Sequence, residues 1–220
     1  MKLPEVSIIV AAYNAEKYIE RTIRSCVNQT FSDDNYEILV VDDGSTDATA
    51  RICQEYANHI EYYRNEENLG LPAAINVGVR HSRSRYVVRV DSDDYVHEDF
   101  IKVLHLHMAM NPHIQAVACD YLVIDDNERV TERFNCNEHP IGCGIMFRKE
   151  KLVDAGLYDE SFSMAEEVDL RLRFEKRWPI YRIELPLYRY MKHGGNMTKN
   201  RELYKEFIQK AIDKNGTTLA

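Results

Sequence analysis

Three aspartates, Asp91, Asp93 and Asp94, fall within four positions directly after the apolar run 86-YVVRV-90. Like charges this close repel one another unless a cation or a basic side chain compensates them. Carboxylate oxygens suit hard divalent ions such as Mg2+ or Mn2+, and two ligating carboxylates leave coordination positions open for the phosphates of a bound molecule. A calcium EF-hand loop does not fit, because Val96 stands where the turn glycine belongs and Lys102 where the bidentate acid belongs.

Other stretches place polar chemistry at comparable positions. In 42-DDGSTD-47, two acids follow a buried run. Ser45, Thr46 and Asp47 read as helix-capping residues, whereas Asp43 is able to accept a hydrogen bond from a base or a ribose hydroxyl. In 166-EEVDLRLR-173, Glu166, Asp169 and Arg173 share a helical face by steps of three and four; taken alone, the segment reads as a solvated charged face. His193 lies in 188-YRYMKHGGNMT-198, which reads as a flexible loop. His105 and His107 are two apart on a predicted helix and make a poor metal pair. There is no GxGxxG, GxxxxGK[ST], HExxH or GxSxG pattern, which removes support for Rossmann dehydrogenases, P-loop NTPases, zincins and α/β-hydrolases.

The elements that must position these residues follow from the apolar pattern. Buried-type strands are expected at 6–12, 37–42, 60–64 and 86–91, separated by amphipathic helices at 15–29, 47–57 and from Leu71-Pro72 onward. This alternation predicts an α/β fold with a parallel sheet covered by helices. Such sheets bind ligands beyond the carboxyl ends of their strands, where Asp43 and the Asp91–Asp94 loop fall. Beyond a helix over 98–110 the pattern becomes mixed. Strands are expected near 114–124, 128–134 and 180–185, with a Gly/Cys-rich loop at 141–147, a helix at 164–177 and a polar tail helix ending at Asn215-Gly216.

At 220 residues, with 45% hydrophobic and 29% charged residues, the chain is expected to form one globular domain. A formal net charge of -8 disfavours nucleic acid as a partner. Five scattered cysteines without CxxC spacing are expected to be reduced thiols of a cytoplasmic protein. No run approaches the ~18 apolar residues of a membrane span.

The order of the motifs 7-SIIVAAYNAEKYIERTIRSCVNQTF-31, 40-VVDDGSTDAT-49, 66-EENLGLPAAINVG-78, 90-VDSDD-94, 156-GLYDESF-162, 166-EEVDLRLR-173 and 188-YRYMKHGGNMT-198 resembles that of the inverting glycosyltransferases of family 2. The resemblance implies a GT-A fold: a Rossmann-like, mostly parallel central sheet flanked by helices, with a mixed C-terminal acceptor-binding portion. On that basis residues 1–200 form one catalytic domain, with a nucleotide-binding half to about 110 and an acceptor-binding half from about 111. Residues 201–220 form a helical tail, open to roles as a dimer element, a membrane-docking helix or the end of a longer chain.

The resemblance also assigns roles. Ala11 and Tyr13 fall where the nucleotide base is contacted, and Asp43 where a carboxylate accepts from the base ring. Asp91, Ser92 and Asn76 fall among the nucleotide-sugar contacts. Asp93, with Asp91 and His193, falls at the site of Mn2+ or Mg2+. Glu167 takes the second position of the family's Glu-Asp pair, the general base, one methylene longer than usual, with Glu166 as the alternative. Ile75 stands where many relatives carry arginine. The implied reaction moves a sugar from a nucleotide-sugar donor, a UDP-sugar in the first instance, to a hydroxyl of a glycan or a lipid-linked acceptor at the cytoplasmic face of a membrane. A sugar-nucleotide-forming nucleotidyltransferase would carry a Gly/Arg/Lys-rich loop after the first strand, where this chain has AAYNAEKY. A non-catalytic nucleotide-sugar-binding module would keep Asp43 and the DSDD loop but not need Glu167.

Overall fold

The structure, a computed structural model, describes residues 3–194 and 201–216. Strand β1 (Val6–Ala12) is buried along its whole length. Its residues alternate between two cores: Val6, Ile8, Val10 and Ala12 point to one, Ile9 and Ala11 to the other. That is why the run reads as continuously apolar, since both faces of the sheet are covered.

Strands β2 (Tyr36–Asp42), β3 (Glu61–Arg64) and β4 (Tyr86–Arg89) join β1 in the order β3-β2-β1-β4, all parallel. On one face lie α1 (Ile19–Val27) and α2 (Thr49–Glu55), which send Ile19, Ile23, Cys26 and Cys53 into the first core. On the other, α3 (Leu71–His81) contributes Ala74, Ile75 and Val79. The chain leaves β1 toward β2 on one side and returns to β4 on the other. The crevice past the carboxyl ends of β1 and β4 is therefore the topological switch point at which such sheets bind ligands.

Beyond β4 the sheet continues through β8 (Ile145–Arg148), β6 (Ala116–Ile124) and β9 (Ile180–Met191), with β5 (Tyr95–Val96) on its far edge and β7 (Val130–Phe134) paired to β6. β8 runs antiparallel to both β4 and β6, whereas β9 is parallel to β6. Helix α4 (Phe100–Met110) buries Phe100, Ile101, Leu104 and Met108 in the first core. Helices α5 (Lys149–Asp154) and α6 (Glu166–Glu175) cover the second through Leu152, Leu170 and Phe174.

Two sequence expectations are corrected here. The stretch from 188 is not wholly a loop, because Tyr188–Met191 end β9, where Tyr188 and Arg189 pair with Val96 and Tyr95 of β5. The 141–147 loop likewise becomes strand from Ile145. Both segments owe their conformation to partners distant in sequence, which a local pattern does not record. The part of the 188–198 motif from Gly195 onward lies outside the described residues.

The tail forms α7 (Arg201–Asn215), ending where expected. It docks on α6 of its own chain: Ala211 is fully buried against Phe162 and Leu172. Lys214 Nζ donates to Asp159 Oδ2 at 2.6 Å and Asp169 Oδ1 at 2.7 Å. Arg173 holds the other oxygen of Asp169 through Nε at 2.8 Å. The charged face read on α6 is thus an internal joint rather than a solvated surface.

Candidate active site

At the end of β2, Asp43 is almost fully buried and its carboxylate is a clamp. Oδ1 accepts from Asn65 Nδ2 at 2.7 Å and the Leu69 N–H at 3.0 Å, and Oδ2 accepts from the Gly70 N–H at 2.8 Å. Gly44 permits this close approach. Its φ is +75°, and a Cβ there would sit 2.7 Å from the carbonyl carbon of Glu67. None of Ser45, Thr46 and Asp47 is the N-cap of α2, which is Ala48; Ser45 Oγ and Asp47 Oδ2 instead accept the N–H groups of Asn14 and Glu16 from the turn after β1. Across this floor Ala11 is buried and Tyr13 is exposed. Asn76 has other partners. Its side-chain amide donates to Tyr158 O at 2.8 Å and Glu160 Oε1 at 2.9 Å, and its carbonyl accepts the Tyr158 N–H. The amide therefore stitches α3 to the 158–160 segment at both ends.

The three aspartates after β4 divide into separate tasks. Asp94 is buried, accepting the Tyr188 hydroxyl at 2.7 Å and the Met191 N–H at 2.7 Å, so it pins β9 across the loop. Burial and the neighbouring Asp93 and Asp91 hold its carboxyl well above the usual range. Asp91 is gripped by Arg89 in a fork, Nε to Oδ1 at 2.5 Å and Nη2 to Oδ2 at 3.1 Å. Asp93 meets His193 Nε2 at 2.8 Å, and the imidazole stacks on Tyr18 with ring centres 4.6 Å apart. Burial and Asp91 raise the Asp93 carboxyl despite that histidine. Ser92 turns its carbonyl to Thr22 Oγ1 at 2.9 Å.

Arg89 also supplies the link to the glutamates. Its Nη1 donates to Glu166 Oε1 at 2.9 Å, and both groups are nearly inaccessible to solvent. Glu166 is thereby committed to an ion pair. Glu167, the next residue, instead accepts the Tyr204 hydroxyl of α7 at Oε1, 2.7 Å away. Burial first, and then the charge of Glu166, push the Glu167 carboxyl up to about 7, while Tyr204 and Arg89 pull it down. Ala165, which leads into α6, holds φ +56°, a conformation that costs a non-glycine residue on the order of 1 kcal/mol and persists only where the surroundings enforce it.

Gly142 fits against this pair. A Cβ at position 142 would lie 2.7 Å from Glu167 Cβ, 3.2 Å from its Cγ and 3.1 Å from Arg89 Nη1. Gly142→Ala is expected to cost about 1–3 kcal/mol through overpacking and to displace Glu167. Chemical denaturation and turnover measured on the same variant check this, and wild-type values for both would refute it.

Donor chemistry tests the fit of a divalent ion. Asp91, Asp94 and Cys143 bring ligand atoms within 4.8 Å of one another. Burial and the aspartates keep Cys143 a thiol, however, and both Asp94 oxygens are engaged, so this trio does not match a hard cation. Asp93 and His193, 2.8 Å apart, offer an oxygen and a nitrogen of the kind such an ion accepts, while both Asp91 oxygens are held by Arg89.

Several residues of this site escape a reading of the sequence. Arg89 sits inside an apolar run, and that is its signal, because a buried arginine requires carboxylate partners. Tyr188 and Tyr204 carry no local signal at all.

The family described as Glycosyl transferase family 2 matches over residues 7–165, and the chain belongs to it. Its fold is the GT-A fold. TarS of S. aureus, solved with UDP-GlcNAc, superposes with a TM-score of 0.81 at 23% identity, covering 96% of this chain and 65% of that one. The mannosyltransferase PcManGT of Pyrobaculum calidifontis, solved with GDP-Man and Mn2+, gives 0.76 at 19% identity, covering 100% of this chain and 66% of that one. In sequence, the chain is 30% identical to the chondroitin synthase of Escherichia coli over 233 residues, covering 97% of itself and 33% of that protein. It thus spans about a third of that relative's length. Among the described residues no helix is long and apolar enough to cross a membrane.

Proposed function

We propose that the chain is a metal-dependent inverting glycosyltransferase that moves a sugar from a nucleotide-sugar donor to a hydroxyl of a glycan or lipid-linked acceptor by single displacement. The observation that carries this reading is the division between the two glutamates: Glu166 is spent on Arg89, whereas Glu167 is half-buried with its carboxyl held up to about 7. A general base works best when its pKa lies near the operating pH.

In this reading Tyr13, Ala11 and Asp43 form the base-binding end of the crevice, and Asp91 and Ser92 face the ribose and sugar. Asp93 and His193, with Asp91, would hold Mn2+ or Mg2+, which supplies neutralisation of the charge developing on the leaving diphosphate. Glu167 Oε2 takes the acceptor proton as the hydroxyl oxygen attacks the anomeric carbon, while the Tyr204 hydroxyl occupies Oε1. The C–O bond to the diphosphate breaks as the new glycosidic bond forms on the opposite face, which inverts the configuration. We take the donor to be a UDP-sugar, by analogy with TarS solved with UDP-GlcNAc. A lipid-linked acceptor would bring the domain to a membrane surface as a peripheral visitor.

A melting panel of UDP, GDP, dTDP and CMP sugars, with and without Mn2+, tests the donor and the ion together. A ligand at ~100 times its Kd stabilises the folded state by about 2.7 kcal/mol, or roughly 5–10 °C for a domain of this size. The rise is expected with one nucleotide class, to require Mn2+, and to be lost in Asp93→Asn. No response to any sugar nucleotide would reject the donor site, and a response indifferent to Mn2+ would reject the metal.

A further inference from the structure

The tail helix α7 reaches the candidate site at one point. Its anchors lie in its last turns: Ala211 is packed on Phe162 and Leu172. Lys214 bonds Asp159 and Asp169, Asn215 Nδ2 donates to Asp169 Oδ1 at 3.0 Å, and Lys210 Nζ donates to Ser161 O at 2.9 Å. Tyr204 stands ten residues before Lys214, about 15 Å along a helix. There its hydroxyl donates to Glu167 Oε1 at 2.7 Å.

We propose that Tyr204 is a positioning residue for Glu167: its hydroxyl fixes the orientation of the carboxylate and stabilises the ionised form, so that α7 completes the site from beyond the nucleotide-binding and acceptor-binding strands. This rests on the reading of Glu167 as general base. A carboxyl carried on two staggered torsions and one broad terminal torsion, with no fixed partner on Oε1, would sample several orientations, and a base acts only within reach of the proton it takes. The donor must also stay protonated to do this. Burial and the charge of Glu167 push the Tyr204 hydroxyl far above its ordinary value, so it remains a neutral O–H throughout the working range.

The charged and titratable groups around Glu167 can be named element by element. Glu166 on α6 opposes its ionisation, Arg89 on β4 favours it, and Tyr204 on α7 favours it by hydrogen bonding. Tyr190 of β9 acts on Tyr204, and the 141–144 loop presents Gly142, which carries no charge. With Tyr204 removed, the favourable side keeps the backbone N–H of Glu167 itself and Arg89, which is already shared between Asp91 and Glu166.

The test is Tyr204→Phe, which keeps the ring and the helix anchors and deletes the hydroxyl alone. In protein labelled with 13C at the glutamate carboxyls, the resonance lost in Glu167→Gln identifies Glu167 and needs no substrate. Its titration midpoint in the wild type is expected near 7. Since two or three hydrogen bonds lower a carboxylate by roughly two pH units, one is worth about one, and the midpoint in Tyr204→Phe is expected to rise by about that much. The acid limb of the pH–rate profile, measured with the sugar nucleotide selected by the melting panel, should move up by the same amount, with melting temperature lowered by no more than the roughly 3–5 °C that this shift is worth. A midpoint and acid limb identical to wild type would overturn the inference and leave the base assignment standing. Full turnover in Glu167→Gln would instead remove the base assignment itself, whatever Tyr204→Phe shows.

Discussion

Replacing Glu167 with glutamine is expected to cut sugar transfer by about 10²–10⁴-fold while nucleotide-sugar binding survives. The amide matches the carboxylate in shape and can still accept from Tyr204 at its oxygen, so the loss isolates proton abstraction. Binding should persist because the proposed donor contacts, Asp43 and the Asp91–Asp93 loop, hold their own partners independently of Glu167. The same assignment fixes the direction of the pH dependence. The active base is ionised. Burial and Glu166 raise its carboxyl to about 7, so turnover should climb with rising pH, reach half its maximum near 7 and level off above. An ordinary glutamate, at about 4.3, would already be mostly ionised two units lower. A profile flat from about pH 5.5 to 8 would take Glu167 out of the role, and so would a variant as active as the wild type.

Arg89→Met is expected to destabilise the fold by about 3–5 kcal/mol, because breaking a buried ion pair on one side leaves the other charges without compensation. For a domain of this size that corresponds to a fall of roughly 6–20 °C in melting temperature. The effect should stand out among single substitutions because one guanidinium serves two carboxylates, Asp91 through two nitrogens and Glu166 through a third. Methionine keeps much of the volume, so the deficit reports charge rather than a cavity. Turnover should fall as well, since Glu166 released from Arg89 is free to share the proton that Glu167 must receive. Differential scanning calorimetry at neutral pH settles the matter: a melting temperature within a degree or two of wild type would mean that Arg89 is not the electrostatic keystone of the site.

Much of the N-terminal half is legible from local pattern. The run 6-VSIIVAA-12 reads as a doubly covered strand because both its faces are apolar, and it is buried throughout. Helix α1 follows from the spacing of Ile19, Ile23 and Cys26. The C-terminal half resists the same reading. β5 has two residues and β8 four, too short for a period to declare itself. The bulged course of β9 through Pro186, where its pairing with β6 shifts register, is set by the strand beside it. Within the site, the crowd of carboxylates in 91-DSDD-94 and 166-EE-167 marks where chemistry is to be sought, but not which carboxyl does what. Asp94 differs from Asp93 in being fully buried and in having Tyr188 and Met191 as partners rather than His193. Glu166 differs from Glu167 only in facing Arg89 rather than Tyr204.

Residue type and order alone determined the family, the parallel α/β layout and the inventory of acids at the strand ends, because these depend on local periodicity and on which functional groups are present. The tertiary structure alone decided which aspartate is a structural pin, which glutamate is an ion-pair partner, and that the tail helix reaches Glu167 through Tyr204. The reason is that a carboxyl's protonation and orientation are set by burial and by hydrogen-bond partners that in this site reach it from up to 100 positions away, and nothing in its own neighbourhood of the chain encodes them.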